Sequence, residues 1–190
     1  MLRKLGLFIL VPYLLSSCSS PKEAFMPFRN MVYSGQSLLP VQKNDADWIL
    51  RVWINNGTSV DRIITISNDS LFKNQGKLFE IGFLDKKSLF STKEEYFFKE
   101  KDVLPKSGFK EFILKVEALK LEDYSDQENF EMLLDHQPFS LYVVEYKKDR
   151  KYNQFVFRTH FPIEDFSDDD KFKSLEKLLF DEFKIDFYLK

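Results

Sequence analysis

The feature that most constrains the fold of this chain is a series of short segments rich in β-branched and aromatic residues. These segments lie at 48–54, 62–67, 77–84, 95–99, 139–146 and 153–161. Their length and composition are typical of β-strands. The first two are joined by Asn55-Asn56-Gly57-Thr58, in which the Asn-Gly pair tolerates the positive φ of a tight hairpin. We therefore expect neighbouring strands that pair in antiparallel fashion.

Two further segments carry apolar residues at the spacing of one helix face. The segment 109–119 follows Ser107, a candidate cap, and the segment 172–183 follows Ser167. A capping-box pattern at 125–128 predicts a shorter helix between them. The order of four strands, one or two helices, a hairpin and a helix predicts an α+β fold. We expect a single domain with an antiparallel sheet of about six strands and two or three helices packed on one face.

The first 17 residues have the layout of a secretory signal. Arg3 and Lys4 precede an uncharged apolar run, 5–15, which is shorter than the roughly 20 residues that a membrane-spanning helix needs. Leu15-Ser16-Ser17-Cys18 follows and contains the only cysteine of the chain. This tetrapeptide resembles the lipobox of bacterial lipoproteins, in which the cysteine thiol receives a diacylglyceryl group and the chain is cut just before it. The resemblance implies that Cys18 is lipidated; a free or intermolecularly paired thiol is the alternative.

These patterns divide the chain into three parts. We expect residues 1–17 to be a lipoprotein signal peptide, 18–44 to be the lipidated N-terminus and a tether, and 45–190 to be the single domain. Without a second cysteine, that domain must be stabilised by packing alone.

The net charge of the chain and the predicted lipidation limit the kinds of partner that we expect it to bind. The formal net charge is −2 and no clustered basic face is evident, so we expect no nucleic-acid partner. Membrane lipid is the partner implied at Cys18, because the two or three acyl chains of a lipoprotein give a stable anchor. The predicted location is the bacterial cell envelope, at the outer membrane or the periplasmic face of the inner membrane.

The chain offers few groups for catalysis or cofactor binding. His136 and His160 have no partner at a recognisable spacing, no Gly-x-Ser-x-Gly motif marks a nucleophile, and the scattered glycines form no phosphate loop. The acidic run 168–170 lacks the alternating spacing of a calcium loop. We therefore assign no catalytic residue, metal or cofactor. Paired carboxylates at 94–95, 122–123 and 168–170 leave a hydrolase open, although such runs more often form solvated surfaces.

Some residues also suggest glycan chemistry. Trp48, Trp53 and Tyr142 could stack on sugars, but aromatic residues at period two in a strand more often fill a core, which is the interpretation we favour. Asp69-Ser70-Leu71 resembles the short O-glycosylation acceptor of exported proteins in Bacteroidota. That resemblance makes Ser70 a candidate glycosylation site.

A broader resemblance covers roughly the second half of the chain. It rests on Pro105-Lys106-Ser107-Gly108-Phe109 before a helix, Leu141-Tyr142-Val143-Val144-Glu145, the segment 152–162 and the terminal helix 171–183. These segments resemble uncharacterised lipoproteins of Bacteroidota. The resemblance implies an envelope location and an α+β fold, and it brings no activity or ligand.

The anchor and the sparse catalytic groups favour a non-enzymatic envelope protein whose domain binds another protein or a glycan. One alternative is a hydrolase of envelope polymers whose paired carboxylates are brought together by folding. A second alternative is an inhibitor or immunity-type lipoprotein that inserts a projecting loop, 88–93, into the cleft of an enzyme.

Overall fold

The structure is a computed structural model that describes residues 38–55, 60–69, 73–84, 95–126, 139–160 and 170–184. Leu39–Lys190 form one compact unit. The predicted signal peptide, Cys18, most of the predicted tether and the helix predicted after Ser125 lie outside the described residues.

The described chain forms a six-stranded sheet and two α-helices, so the predicted α+β fold is confirmed. The strands are β1 (Trp48–Asn55), β2 (Val60–Asp69), β3 (Lys73–Leu84), β4 (Glu95–Asp102), β5 (Phe139–Lys148) and β6 (Lys151–His160). The helices are α1 (Phe109–Ala118) and α2 (Asp170–Phe183). The spatial order is β4-β3-β2-β1-β5-β6, and every neighbouring pair is antiparallel. The β5–β6 hairpin therefore extends the sheet on the free side of β1.

Several strands are longer than their sequence patterns predicted. The segment expected to form β2 ended at Ser67, yet Asn68 and Asp69 pair with Asn74 and Lys73. Likewise, the segment expected to form β5 ended at Tyr146, yet Lys147 and Lys148 pair with Tyr152 and Lys151. Ladder hydrogen bonds to a neighbouring strand satisfy these backbone groups, and this tertiary contribution outweighs a weak local preference for turns.

The main hydrophobic core lies between one face of the sheet and both helices. Alternate residues of the strands point to this face, as period-two spacing requires. The buried strand residues of the core are Trp48, Leu50, Val52, Ile54, Ile64, Ile66, Leu78, Tyr142, Val144, Tyr146, Phe155 and Phe157. The core is completed by Phe112 and Val116 of α1, Phe172, Leu175 and Leu179 of α2, and Leu121 and Tyr124 from the segment after α1. The predicted helix faces are therefore confirmed.

The opposite face of the sheet is only partly exposed to solvent. Tyr152 and Gln154 on β6 are partly exposed. The centre of the face is buried, because Ile49, Trp53 and Val143 are at most 2 % exposed. The 3₁₀ turn Val41–Lys43 contributes to this burial: Val41 packs with Ala46 and Ile49 in a small second cluster.

Candidate functional site

A cavity of about 800 Å³ lies at one end of the sheet. Its walls come from the β5–β6 hairpin and from the 3₁₀ turn Leu121–Asp123, which follows α1. The lining residues are Glu122, Tyr146, Lys148, Asp149, Arg150, Lys151, Tyr152 and Asn153. This volume falls within the range of about 300 to 1,000 Å³ that is typical of small-molecule sites.

A tight turn positions the hairpin wall. Only Asp149 and Arg150 separate β5 from β6, and Asp149 adopts a φ of 54°. Asp tolerates this left-handed conformation better than most residues with a side chain. The backbone N–H of Asp149 donates to the carbonyl oxygen of Asp47 at 2.6 Å, which ties the turn to the start of β1.

A side-chain amide fixes the opposite wall. Asn153 donates from Nδ2 to the carbonyl oxygens of Leu121 and Tyr124, both at 2.8 Å. The Asp126 carboxylate accepts the backbone N–H of Val156 at 3.0 Å, which satisfies a donor on the edge strand β6. The segment that carries Glu122 is therefore held alongside the hairpin, and this arrangement creates the cavity.

The lining carries balanced charge. Lys148 forms a 2.9 Å ion pair with Glu117 of α1, which raises the pKa of the Lys148 ammonium. Among the described residues, Arg150 and Lys151 have no ion-pair partner. The carboxylates of Glu122 and Asp149 line the same cavity. The cavity lining therefore offers both hydrogen-bond donors and acceptors, and neither positive nor negative charge dominates it.

Tyr146 is the most unusual residue of this lining. It is 1 % exposed, and its hydroxyl has no hydrogen-bond partner in the described part of the chain. Burial raises its pKa to about 12; the indole N–H of Trp48 opposes the rise, and Glu122, Glu117 and Asp149 add to it. The Tyr146 hydroxyl thus stays protonated at neutral pH.

Trp48 packs edge-on against the Tyr146 ring, with centroids 5.9 Å apart and planes at 85°. Its indole N–H is also buried without a hydrogen-bond partner among the described residues. The Trp48 indole N–H is near enough to the Tyr146 hydroxyl to lower its pKa, but neither atom has a partner at normal hydrogen-bond geometry among the described residues. A buried polar group without a partner costs about 1 to 3 kcal/mol, so such groups are often satisfied by a bound molecule.

The buried Glu145 carboxylate belongs to a separate network on the other face of the sheet. It accepts the Trp53 indole N–H at 2.7 Å and lies 3.0 Å from the Tyr152 hydroxyl. Arg51, which is 1 % exposed, has Nη1 4.0 Å from Glu145 and donates from Nε to Thr65 at 3.0 Å. These contacts fix the strands β1, β2, β5 and β6 relative to one another. They also hold the Tyr152 ring on this face of the sheet, away from Tyr146.

Two other buried carboxylates join the helices to the rest of the domain. Glu176 of α2 accepts the Tyr142 hydroxyl at 2.6 Å. Glu182 accepts the Ser107 backbone N–H and the Lys115 ammonium, each at 2.8 Å. Burial by itself raises the pKa of Glu182, but these hydrogen bonds outweigh it and hold that pKa below its ordinary value.

The role predicted for Ser107 was wrong. Gly108 is the N-cap of α1, and the Ser107 hydroxyl lies 2.8 Å from Glu182 instead of capping the helix. The Ser107 hydroxyl bonds to the charged Glu182 carboxylate of α2. This bond is stronger than one to the uncharged backbone N–H groups at the start of α1 would be.

Several predicted site residues lie outside the described residues: Cys18, Ser70, His136, the acidic residues 168–169, Glu94 and the loop 88–93. The backbone of His160 pairs with Phe139, and its side chain is not described. The structure brings Glu122 into the cavity with Asp149, whereas the predicted partner, Asp123, is an exposed residue of the same 3₁₀ turn. Within the described ranges, no three His, Cys, Asp or Glu side chains come together as a metal site.

The preferred interpretation of the aromatic residues is confirmed. Trp48, Trp53 and Tyr142 are at most 5 % exposed. Tyr142 stacks on Phe157 with centroids 4.5 Å apart and an interplanar angle of 2°. These three rings are core residues and not surface platforms.

The sequence did not single out Tyr146, Arg150 or Lys151. The signal that could have pointed to them is the charged stretch 147–151, which lies between two predicted strands. Cationic and aromatic residues on the two strands of a hairpin can lie together at one end of a sheet. Which of them do so is visible only once the strand register is known.

No protein-family model, curated protein or solved structure matches this chain. No helix of the described residues combines the length and apolar character needed to cross a membrane.

Proposed function

We propose that this protein is a lipid-anchored, non-enzymatic binding module of the bacterial cell envelope, with the hairpin cavity as its ligand site. The observation that carries the proposal is the buried, unpartnered Tyr146 hydroxyl in the wall of a charged cavity of about 800 Å³. The ligand is a glycan or a segment of an envelope protein. Either supplies the polar groups that this lining can pair.

The anchor part of the proposal rests on the N-terminal sequence. A charged start, an apolar run and Leu15-Ser16-Ser17-Cys18 occur in the order and spacing of a lipoprotein signal. A domain held at a membrane by acyl chains on Cys18 meets envelope polymers at high local concentration. Weak binding at a small cavity is then sufficient for function.

The buried carboxylates support a binding role over catalysis. Glu145, Glu176 and Glu182 each accept hydrogen bonds that connect strands or helices. A general acid or base must reach a substrate proton. These three side chains are engaged in holding the fold instead.

A hydrolase is the second candidate, because Glu122 and Asp149 line one cavity. Glycosidases use two carboxylates that face a common sugar. This candidate predicts turnover of an envelope polysaccharide or a related oligosaccharide. Glu122→Gln and Asp149→Asn would each abolish that turnover, whereas a binding module would show no turnover in wild type.

The direct test of the binding proposal is site-specific photo-crosslinking in intact cells. A photoreactive amino acid replaces Arg150 at the cavity or Lys101 on β4, which lies at the opposite edge of the sheet. We expect a defined adduct from position 150, none from position 101, and loss of the adduct in Tyr146→Phe. Equal labelling from both positions, or no adduct from position 150, would overturn the proposal.

The anchor is tested with the same cells. Wild type should fractionate with membranes and carry acyl chains detectable by mass spectrometry, and Cys18→Ala should remain an uncleaved, unacylated precursor. A processed wild type without acyl chains on Cys18 would contradict the anchor.

A further inference from the structure

We infer that the hairpin cavity binds an uncharged saccharide through its hydroxyl groups. This inference rests on the proposed binding function and specifies the ligand class for the same site. Two features of the lining lead to it: the charge balance and the Tyr146 hydroxyl, which has no hydrogen-bond partner among the described residues.

The charge balance argues against a strongly charged ligand. Lys148 is already paired with Glu117, which leaves two cations, Arg150 and Lys151, and two lining carboxylates, Glu122 and Asp149. An anionic ligand would face both carboxylates, and a cationic ligand would face both cations. Each sugar hydroxyl donates one hydrogen bond and accepts others, so it can pair with a carboxylate and a cation at the same time.

The Tyr146 hydroxyl adds a buried partner of the same kind. It is both a donor and an acceptor, and because burial raises its pKa to about 12 it remains protonated even at alkaline pH. A saccharide hydroxyl that reaches it would satisfy a polar group that has no partner among the described residues. Such a bond forms away from water and therefore contributes specificity.

The size of the cavity limits the length of the saccharide. The cavity volume of about 800 Å³ suits a short oligosaccharide.

The experiment is a binding titration of the full-length, detergent-extracted lipoprotein with defined probes. The uncharged probes are the tetrasaccharides of maltose, cellulose, mannan and chitin. The charged probes are an oligosaccharide that contains glucuronic acid, its carboxyl-reduced counterpart, and a zwitterionic tetrapeptide. Each is measured by calorimetry and ligand-observed NMR at low and at high NaCl.

We expect one or more uncharged probes to bind, with an affinity that changes less than about 2-fold between the two salt concentrations because no net charge is neutralised. Tyr146→Phe should weaken binding about 5-fold, and Glu122→Gln combined with Arg150→Gln about 10-fold or more. Lys101→Gln, a charge change at the opposite edge of the sheet, should leave the affinity unchanged. Near-native circular dichroism of each variant establishes that it is folded.

Three outcomes would overturn the inference. Binding of only the charged probes, with steep salt dependence, would refute the ligand class while the proposed binding function stands. Saccharide binding that is equal in wild type, Tyr146→Phe and the double variant would refute the site. No binding of any probe, together with no photo-adduct from position 150, would refute both the inference and the proposed function.

Discussion

Asp61→Asn should stabilise this protein at neutral pH. Asp61 lies on β2 opposite Ile81, two residues from Ile63, and both isoleucines are at most 2 % exposed. Its Oδ1 atom has no hydrogen-bond partner among the described residues. Burial therefore raises the pKa of the Asp61 carboxyl from 3.8 to about 6.

The sign of the effect follows from proton linkage. Between about pH 4 and pH 6 the folded chain retains a proton at Asp61 that the unfolded chain has lost. The free energy of unfolding attributable to this group therefore falls as the pH rises through that range. A rise of about 2 in the pKa of Asp61 corresponds to a loss of about 3 kcal/mol in the free energy of unfolding above pH 6. Because Asp61 keeps partial contact with solvent, we expect a gain of about 2 kcal/mol for Asp61→Asn at pH 7.5.

The assay is urea unfolding at pH 4 and at pH 7.5, followed by the fluorescence of the buried Trp48 and Trp53. We expect the advantage of Asp61→Asn to be present at pH 7.5 and largely absent at pH 4. Asp45→Asn, at an exposed position, is the matched control and should change stability by less than about 0.5 kcal/mol at either pH. A variant that is less stable than wild type at pH 7.5, or equally stabilised at both pH values, would refute the reasoning.

Three further predictions concern packing and hydrogen bonds, and each is measured by the same unfolding assay. Gly76→Ala should destabilise the domain by about 2 kcal/mol, because a Cβ there would collide with the carbonyl oxygen of Val103. At Gly108, where the surrounding space is open but φ is 82°, Ala should cost only about 1 kcal/mol, and equal effects at the two glycines would contradict the collision. Tyr142→Phe should cost about 1 to 2 kcal/mol by removing the bond to Glu176 while the stack on Phe157 remains, and a neutral effect would show that this bond contributes nothing. Glu182→Gln should lower stability at pH 7. That difference should shrink as the pH falls through the depressed pKa of Glu182, and a difference that stays the same between pH 7 and pH 3 would argue for packing alone.

Much of the fold was predictable because its signals are local. Period-two spacing puts Phe155 and Phe157 on the same face of a strand. Helical spacing puts Phe112 and Val116 on the same face of a helix, and these two faces meet in one core. Strand ends were less predictable. Asn68 and Lys148 are polar, and only their partners across the ladder keep them in strands.

The candidate site was less predictable than the fold. Glu122 was singled out as half of a carboxylate pair with Asp123, but in the structure it shares the cavity with Asp149. Ser107 was predicted to cap a helix, and it bonds to Glu182, which follows it by 75 positions. Both differences come from contacts between residues that are distant in the sequence.

The sequence by itself determined the strand and helix types, the antiparallel arrangement and the packing of the helices on one face. Hydrophobic periodicity encodes these features within a few residues. The lipobox-like segment 15–18 is also a local pattern, and lipidation of Cys18 stays a prediction. Only the tertiary structure decided that β5 pairs with β1, that the hairpin and the 3₁₀ turn Leu121–Asp123 enclose a cavity, and that Tyr146 is buried there without a partner. The physical reason is that strand order and side-chain satisfaction depend on contacts across the whole sheet, which no local window contains.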